Sequence, residues 1–512
     1  VVALAIRQFR PMECLEMKRK FSICKIWMLS ALMLSLSNIA TASDSVAYYS
    51  DNQNDRVLAF DPVEMSIRAV IPTKGTQPYP IGKANDKTSY VTTRNSFSID
   101  VLNNFDVLTG EVNARTVRKI VLEHSPRSFA YGPARGIAVV AGNSEPWATL
   151  LMPTRPGNSA VQRLFKEPGG PYNLDDSVDE NYGGNTSSGH PLCVQDGLFN
   201  LLNRTNRTIS LFSVNQKGWM PLDTLNLANL KTEEGIDDPD IGLESTLSSA
   251  HHITRSPKER EKVYFASLEG SVNGSEVLEA GGVLKFLIVD DELIFIDYQP
   301  TRGAVHHLDL TSDGEYVLQG TTEEGTGKLY VLYAGAGAYD PMSIEEIIDV
   351  GNGAGHVIIS EERMLAIVTN HADKFLSIID MDVDNDGNAD TPDTWVSTEA
   401  WIPRGTTYGE SGSVDDPGNI GRDATRASGQ KIQAHTASIS GVDPQEQHYY
   451  ASAAADGIFY RIDLENLDKY AQPDAHFPAE DMLDAEALLG DSYLIQGDFN
   501  WNEPSGPMGG MN

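Results

Sequence analysis

Two groups of residues in this 512-residue chain have the types and spacing that metal chemistry requires. The first is a set of histidines. Of eleven in the chain, His190, His251, His252, His306, His307, His356 and His435 stand at the heads of five apolar segments. These segments are GHPLCVQDGLFNLL from Gly189, AHHITRSP from Ala250, VHHLDLTSDGEYVLQG from Val305, GHVIISEERMLAIV from Gly355 and AHTASIS from Ala434. Neutral imidazole suits zinc and copper best. Histidines far apart in sequence share a metal wherever a fold brings such heads together. The second group is local. Asp382, Asp384, Asp386 and Gly387 in DVDNDGNAD are followed by Asp390 and Asp393. Alternating carboxylates with a turn glycine at the sixth position place several oxygens around one hard cation, which marks the five aspartates as a calcium loop of structural role. It departs from the EF-hand in lacking flanking helices and in having Asp393 rather than Glu at the twelfth place; an acidic surface turn is the other reading.

The elements that must position these residues repeat. A histidine-headed or similar apolar strand, a tight Asp/Gly turn, a second strand, a loose loop and a third strand recur from Gln77, Ser125, Gly189, Ala250, Val305, Gly355 and Ala434. A shorter repeat, VAYYSDNQNDRVLAFD from Val46, lacks the strand that should precede it. Short β-rich segments between Gly, Asp, Asn and Pro turns, almost without helical periodicity, predict an all-β fold. Their spacing, roughly 40–60 residues per multi-strand unit, selects a single β-propeller over a sandwich. The missing strand is expected from the C-terminus, with Asp491 to Gly497 (DSYLIQG) as the candidate, so that the chain termini close the ring. That arrangement has eight blades; if the N-terminal strands instead complete the last blade there are seven.

In a propeller the inner strands line a central channel and their first residues meet at one mouth. His190, His252, His307, His356 and His435 are the candidate ligands there. Strand alternation sends neighbours to opposite faces, which leaves His251 and His306 to packing, although the choice within each pair is open. The histidines could equally plug the channel through hydrogen bonds. Acidic insertions at residues 166–188 and 231–249, and a third at 405–433, each precede a histidine-headed strand and should crowd the same rim.

The N-terminal region divides before the propeller begins. Residues 1–16 look like an over-extended start. From Met17, a basic Lys18–Lys20 cluster, an apolar stretch and Ala40-Thr41-Ala42 form a signal peptide over 17–42, cleaved after Ala42. The propeller domain is then 43–499 and the tail 500–512 is disordered. Export to the periplasm or beyond follows, with no membrane span in the mature chain, because no later segment reaches the ~20 apolar residues of a span. Cleavage would leave 33 basic against 70 acidic side chains, a formal charge near −37. So negative a chain is a poor partner for nucleic acid. With 40% hydrophobic and 8% aromatic residues it has ample material for a core. Cys14 and Cys24 precede the cleavage site, so Cys193 is left alone, either buried and inert or a metal ligand. No nucleophile elbow, phosphate loop or HExxH motif is present.

The repeats resemble the YVTN/quinoprotein-amine-dehydrogenase-like propeller superfamily, a fold that hosts many functions. Within it, the segments from Gly189 and Ala250 are similar to the histidine-headed strands of propeller-type periplasmic zinc chaperones. That resemblance implies zinc at some of His190, His252, His307, His356 and His435, and a periplasmic metal-binding protein as partner. The histidine-lined mouth is also similar in kind to that of nitrous oxide reductase, which implies copper, redox chemistry and a separate electron-transfer protein. A third class is a propeller scaffold that binds a partner with its rim loops and holds no metal. Metal trafficking or sequestration, with zinc favoured, is the leading expectation.

Overall fold

The structure is a computed structural model. It describes residues 46–501 apart from 153–159, 164–190, 231–245, 404–437, 440–446, 472–476, 490–498 and loop gaps of at most four residues. The expected start at 1–16, the signal peptide at 17–42, His190, His435 and nearly all of the three acidic insertions lie outside the described residues.

Eight antiparallel sheets of four strands follow one another along the chain. In blades 2 to 8 the first strand is innermost: Pro78–Asn85, Pro126–Gly132, Leu192–Gln195, Ala250–Arg255, Ala304–Leu310, Ala354–Ser360 and Ser438–Ile439. Inner strands of successive blades lie side by side, so these segments line one channel. The protein is therefore all-β and eight-bladed, with the repeat starts where the apolar heads placed them. Among the described residues no helix is long and apolar enough to cross a membrane.

Blade 1 joins the two ends of the chain. Ala47–Asp51, Arg56–Asp61 and Ser66–Pro72 are its outer three strands, and Phe499–Trp501 is its inner strand, paired antiparallel through Ala47↔Trp501 and Tyr49↔Phe499. Ring closure by the termini holds, but through a different segment from the one expected. Asp491 to Gly497 lies wholly in 490–498, outside the described residues, and the closing strand runs two residues into the stretch assigned to the tail. The second insertion also differs. Its end, Thr246–Leu247, is a strand that pairs parallel with Glu276–Ala280 in a small three-stranded sheet beside blade 5.

The core is divided among the gaps between blades. Eight apolar clusters occupy the eight interfaces, and alternate residues of one strand serve opposite neighbours. In blade 5, Tyr264, Ala266 and Leu268 pack toward blade 4, while Val263 and Phe265 pack toward blade 6. Both faces of each sheet are covered, which is why the strands read as continuous apolar runs rather than as alternating patterns. The interface between blades 8 and 1 is aromatic. Phe459 meets Tyr49 edge-on with centroids 4.5 Å apart and stacks on Phe60 at 5.0 Å, and the Tyr49 hydroxyl lies 3.0 Å from Ser452 Oγ.

The aspartate that closes the third strand has a repeated local purpose. Asp61, Asp380 and Asp463 end the third strands of blades 1, 7 and 8, and each accepts the backbone N–H two residues on, at 3.0, 3.1 and 3.1 Å. This Asx turn satisfies a backbone donor as the chain leaves the sheet.

His124, just before the inner strand of blade 3, is buried at 1% exposure. Its Nδ1 lies 3.2 Å from the Ser125 carbonyl, which can only accept, so Nδ1 carries the proton and Nε2 accepts from Thr149 Oγ1 at 2.8 Å. Burial pushes this imidazole down from 6.5 to about 4, against the Ser125 bond. The neutral form is the one the fold requires, so its stabilisation is complete above pH 6.5 and is lost as pH falls toward 4. Between pH 7 and 5 the wild type should lose about 2 kcal/mol more stability than His124→Gln. Urea unfolding of both proteins at the two pH values measures this, and equal losses would remove His124 as the source.

Candidate functional site

Every inner strand from blade 2 to blade 7 contains a register irregularity, and in all but blade 4 it lies at the strand's first residues. In blade 5, Ala250 pairs with Leu268 and His252 with Ser267, so His251 has no residue opposite it. In blade 7, Ala354 pairs with Asn370 and His356 with Thr369, leaving Gly355 over. In blade 6, His306 and His307 both fall between the pairs Val305↔Thr321 and Leu308↔Gln319 and share Gly320 across the ladder. A Cβ on Gly320 would lie 3.3 Å from the Ala354 carbonyl carbon, so the glycine lets blade 7 approach at this level. Bulges of this kind re-aim side chains and break the period of two.

The consequence is a row of buried imidazoles. His252 and His307 have ring centroids 4.3 Å apart with planes inclined at 34°, and His307 and His356 are stacked at 3.9 Å and 25°. His251 meets His307 edge-on at 5.3 Å. All four are buried. Three consecutive blades thus contribute His252, His307 and His356 to the row. His251, which alternation assigned to packing, is the bulge residue and packs edge-on against the same row as its neighbour. The side chain of His306, and all of His190 and His435, lie outside the described residues.

His251 is also the most firmly oriented of the four. Its Nδ1 is 2.6 Å from Glu269 Oε1, and a carboxylate only accepts, so Nδ1 carries the proton and Nε2 holds the lone pair in the neutral ring. Glu269 is fixed in turn by Ser249 Oγ at 3.1 Å and by both arms of Arg204, with Arg204 Nε at 2.9 Å from Oε2. A carboxylate behind a histidine is the usual way a protein sets the tautomer of a metal ligand. Of the other ring nitrogens, His252 Nδ1, His307 Nε2 and His356 Nε2 are buried without a hydrogen bond. With only His307 and His356 stacked and the other pairs tilted or edge-on, no three of these nitrogens lie within 4.8 Å of one another among the described residues. Zinc–nitrogen bonds of about 2.0–2.1 Å require the rings to turn. Glu269 and Arg204 belong to no sequence motif. Both directly follow the second strand of their blade, and aligning the repeats on that position would have found them.

The aspartate loop connects the third and fourth strands of blade 7, Phe375–Asp380 and Val396–Trp401. Among the described residues, the group of ligand atoms lying within 4.8 Å of one another is that of Asp382, Asp384 and Asp390. Asn385 and Gly387 adopt positive φ, 59° and 85°, and fold the chain back over these carboxylates. Backbone N–H groups help hold them, from Asp386 and Gly387 to Asp382 at 2.9 Å each and from Val383 to Asp390 at 2.7 Å. The Asp384 carboxyl is nonetheless raised: the Asp386 N–H bond lowers it, and desolvation with the charges of Asp386, Asp390 and Asp382 outweighs that bond. Asp386 and Asp393 are not gathered with the trio. Asp386 caps the N–H of Asn388 at 2.9 Å, and Asp393 accepts from Thr391 Oγ1 at 2.6 Å. Cys193 is half-buried against the interface of blades 3 and 4, with its thiol 3.5 Å from the Gln195 carbonyl.

No family model and no curated protein matches this chain in sequence. Solved structures do match it in shape. The hydrazine synthase of Kuenenia stuttgartiensis aligns over 76% of this chain and 96% of its own at TM-score 0.44 and 11% identity. The periplasmic gluconolactonase of Pseudomonas aeruginosa aligns over 70% and 96% at 0.43 and 12%, and a 6-phosphogluconolactonase-type protein of Bacteroides uniformis over 69% and 97% at 0.42 and 12%. At these identities the likeness is one of fold.

Proposed function

We propose that the chain is an exported β-propeller that binds a transition metal, zinc favoured, through histidines at the mouth of its central channel, for trafficking or sequestration rather than turnover. The observation that carries this reading is the row of four buried imidazoles, His251, His252, His307 and His356, in mutual contact across three blades. Burying so many polar rings costs free energy unless something is gained, and a metal ligated by imidazole is one such gain. The Glu269 bond supports His251 Nε2 as a ligand. By sequence, His190 and His435 stand at the same place in blades 4 and 8 and complete the candidate set. Export rests on the segment 17–42, and a periplasmic metal-binding protein is the expected partner. The calcium reading of the blade 7 loop rests on the gathering of Asp382, Asp384 and Asp390 within a D-x-D-x-D-G motif.

Elemental analysis of the protein purified without chelators or a histidine tag tests the first reading. About one equivalent of zinc per chain is expected, lost in His307→Ala/His356→Ala. Copper with a visible absorption band would replace sequestration with redox chemistry and an electron-transfer partner. No transition metal in either protein would leave the histidines as channel filling and the propeller as a scaffold.

For the loop, calcium at a hundred times its Kd should add about 2.7 kcal/mol of stability. Thermal unfolding with calcium and with EDTA reads this as a raised midpoint, absent in Asp382→Asn/Asp384→Asn. Identical midpoints in the wild type would make the loop an acidic turn.

A further inference from the structure

The rim that carries the histidines also carries arginines, on the blades before them. Arg94 directly follows the second strand of blade 2, Thr88–Thr93, as Arg204 follows Leu198–Asn203 in blade 4 and Glu269 follows Val263–Leu268 in blade 5. Because that strand runs antiparallel to the inner one, its end lies beside the inner strand's start: Pro78 pairs with Thr93 and Ala250 with Leu268. Arg127 reaches the same level by another route. It is the extra residue of the bulge in blade 3, between Pro126↔Gly142 and Ser128↔Ala141, the position His251 holds in blade 5. The Arg94 guanidinium lies 4.2 Å over the ring of Tyr79, which sits in the corresponding irregularity of blade 2.

These side chains feel one another. Arg127, whose Nε is buried, is lowered to about 9, first by burial and then by the charges of Arg204 and Arg94, with Glu269 acting against them. Three guanidinium groups on three successive blades therefore share one field. Glu269, held by Arg204 and His251, is the carboxylate that opposes it. The chain as a whole has a formal charge of −33. An acidic protein that collects half-buried guanidinium groups at one rim creates a local field opposite to its surroundings. The guanidinium fork matches carboxylate and phosphate oxygens two at a time, more closely than a lysine would.

We infer that the arginine side of the channel mouth, formed by Arg94, Arg127 and Arg204, binds a small ligand through an oxyanion group, a carboxylate or a phosphate, next to the histidine row. Arg204, already fixed on Glu269, sets the boundary between the anion side and the imidazole side. Arg94 and Arg127 take the ligand's oxygens. Only blade 4, which carries Arg204, separates an anion on Arg127 of blade 3 from His251 of blade 5, so the two halves of the mouth can act on one molecule.

Isothermal titration calorimetry of the full chain, stripped of metal with EDTA and dialysed, tests this with inorganic phosphate and malonate as probes. One saturable site is expected for one of the two, weakened at least tenfold in Arg127→Gln and in Arg94→Gln. Saturation by phosphate alone assigns a phosphorylated ligand, and by malonate alone a carboxylate. Should Arg127→Gln fail to fold, Arg94→Gln carries the comparison, since Arg94 stands in the turn Arg94–Ser96 whereas Arg127 stands within an inner strand. Binding of neither probe, or equal affinity in wild type and variants, overturns the inference. Stripping the metal keeps this result separate from the zinc measurement, so either reading can fail alone.

Discussion

Each blade of this protein is a sheet with two apolar faces, and such a sheet is stable only with a neighbour on both sides. An open row of blades would leave two faces in water. The ring removes both, and the structure depends on its last interface, where Phe459 of blade 8 meets Tyr49 and Phe60 of blade 1. Pairing of Phe499–Trp501 with Ala47–Asp51 fastens the ends of the chain at the same place. Local strand pairing builds each blade, but closing the ring joins residues from the two ends of the chain.

Closure also creates the site. The first residues of the inner strands are far apart in sequence, and only a closed ring brings them to one rim. Bulges at those starts then decide which side chains turn inward. This is why the mouth holds two chemistries side by side: guanidinium groups from blades 2 to 4 and imidazoles from blades 5 to 7. Glu269 joins them, with Arg204 on one side and His251 on the other. A row of imidazoles beside arginines suits a ligand that is both metal-binding and anionic.

Much of this was legible in the sequence, because a propeller repeats its instructions. Apolar heads, Asp/Gly turns and closing aspartates recur, and they placed the blades and brought His252, His307 and His356 to one rim. The closing strand was not legible. Phe499–Trp501 is three residues long, while the more apolar DSYLIQG beside it looked the better strand. The bulge at His251 was equally hidden, since one extra residue leaves no mark on composition or alternation. In the aspartate loop the motif marked five candidate carboxylates, and the turn with positive φ at Asn385 and Gly387 gathers only Asp382, Asp384 and Asp390 of them. Arg204 and Glu269 carry no motif, and only their shared position after the second strand distinguishes them.

The most direct test of the histidine row as a metal site is anomalous diffraction at the zinc edge from crystals of the zinc-loaded protein. One strong peak at the channel mouth is expected, within about 2.0–2.1 Å of ring nitrogens drawn from His251, His252, His307 and His356, with the stack of His307 on His356 opened. A mouth without a peak, with those two rings still stacked at 3.9 Å, would contradict it.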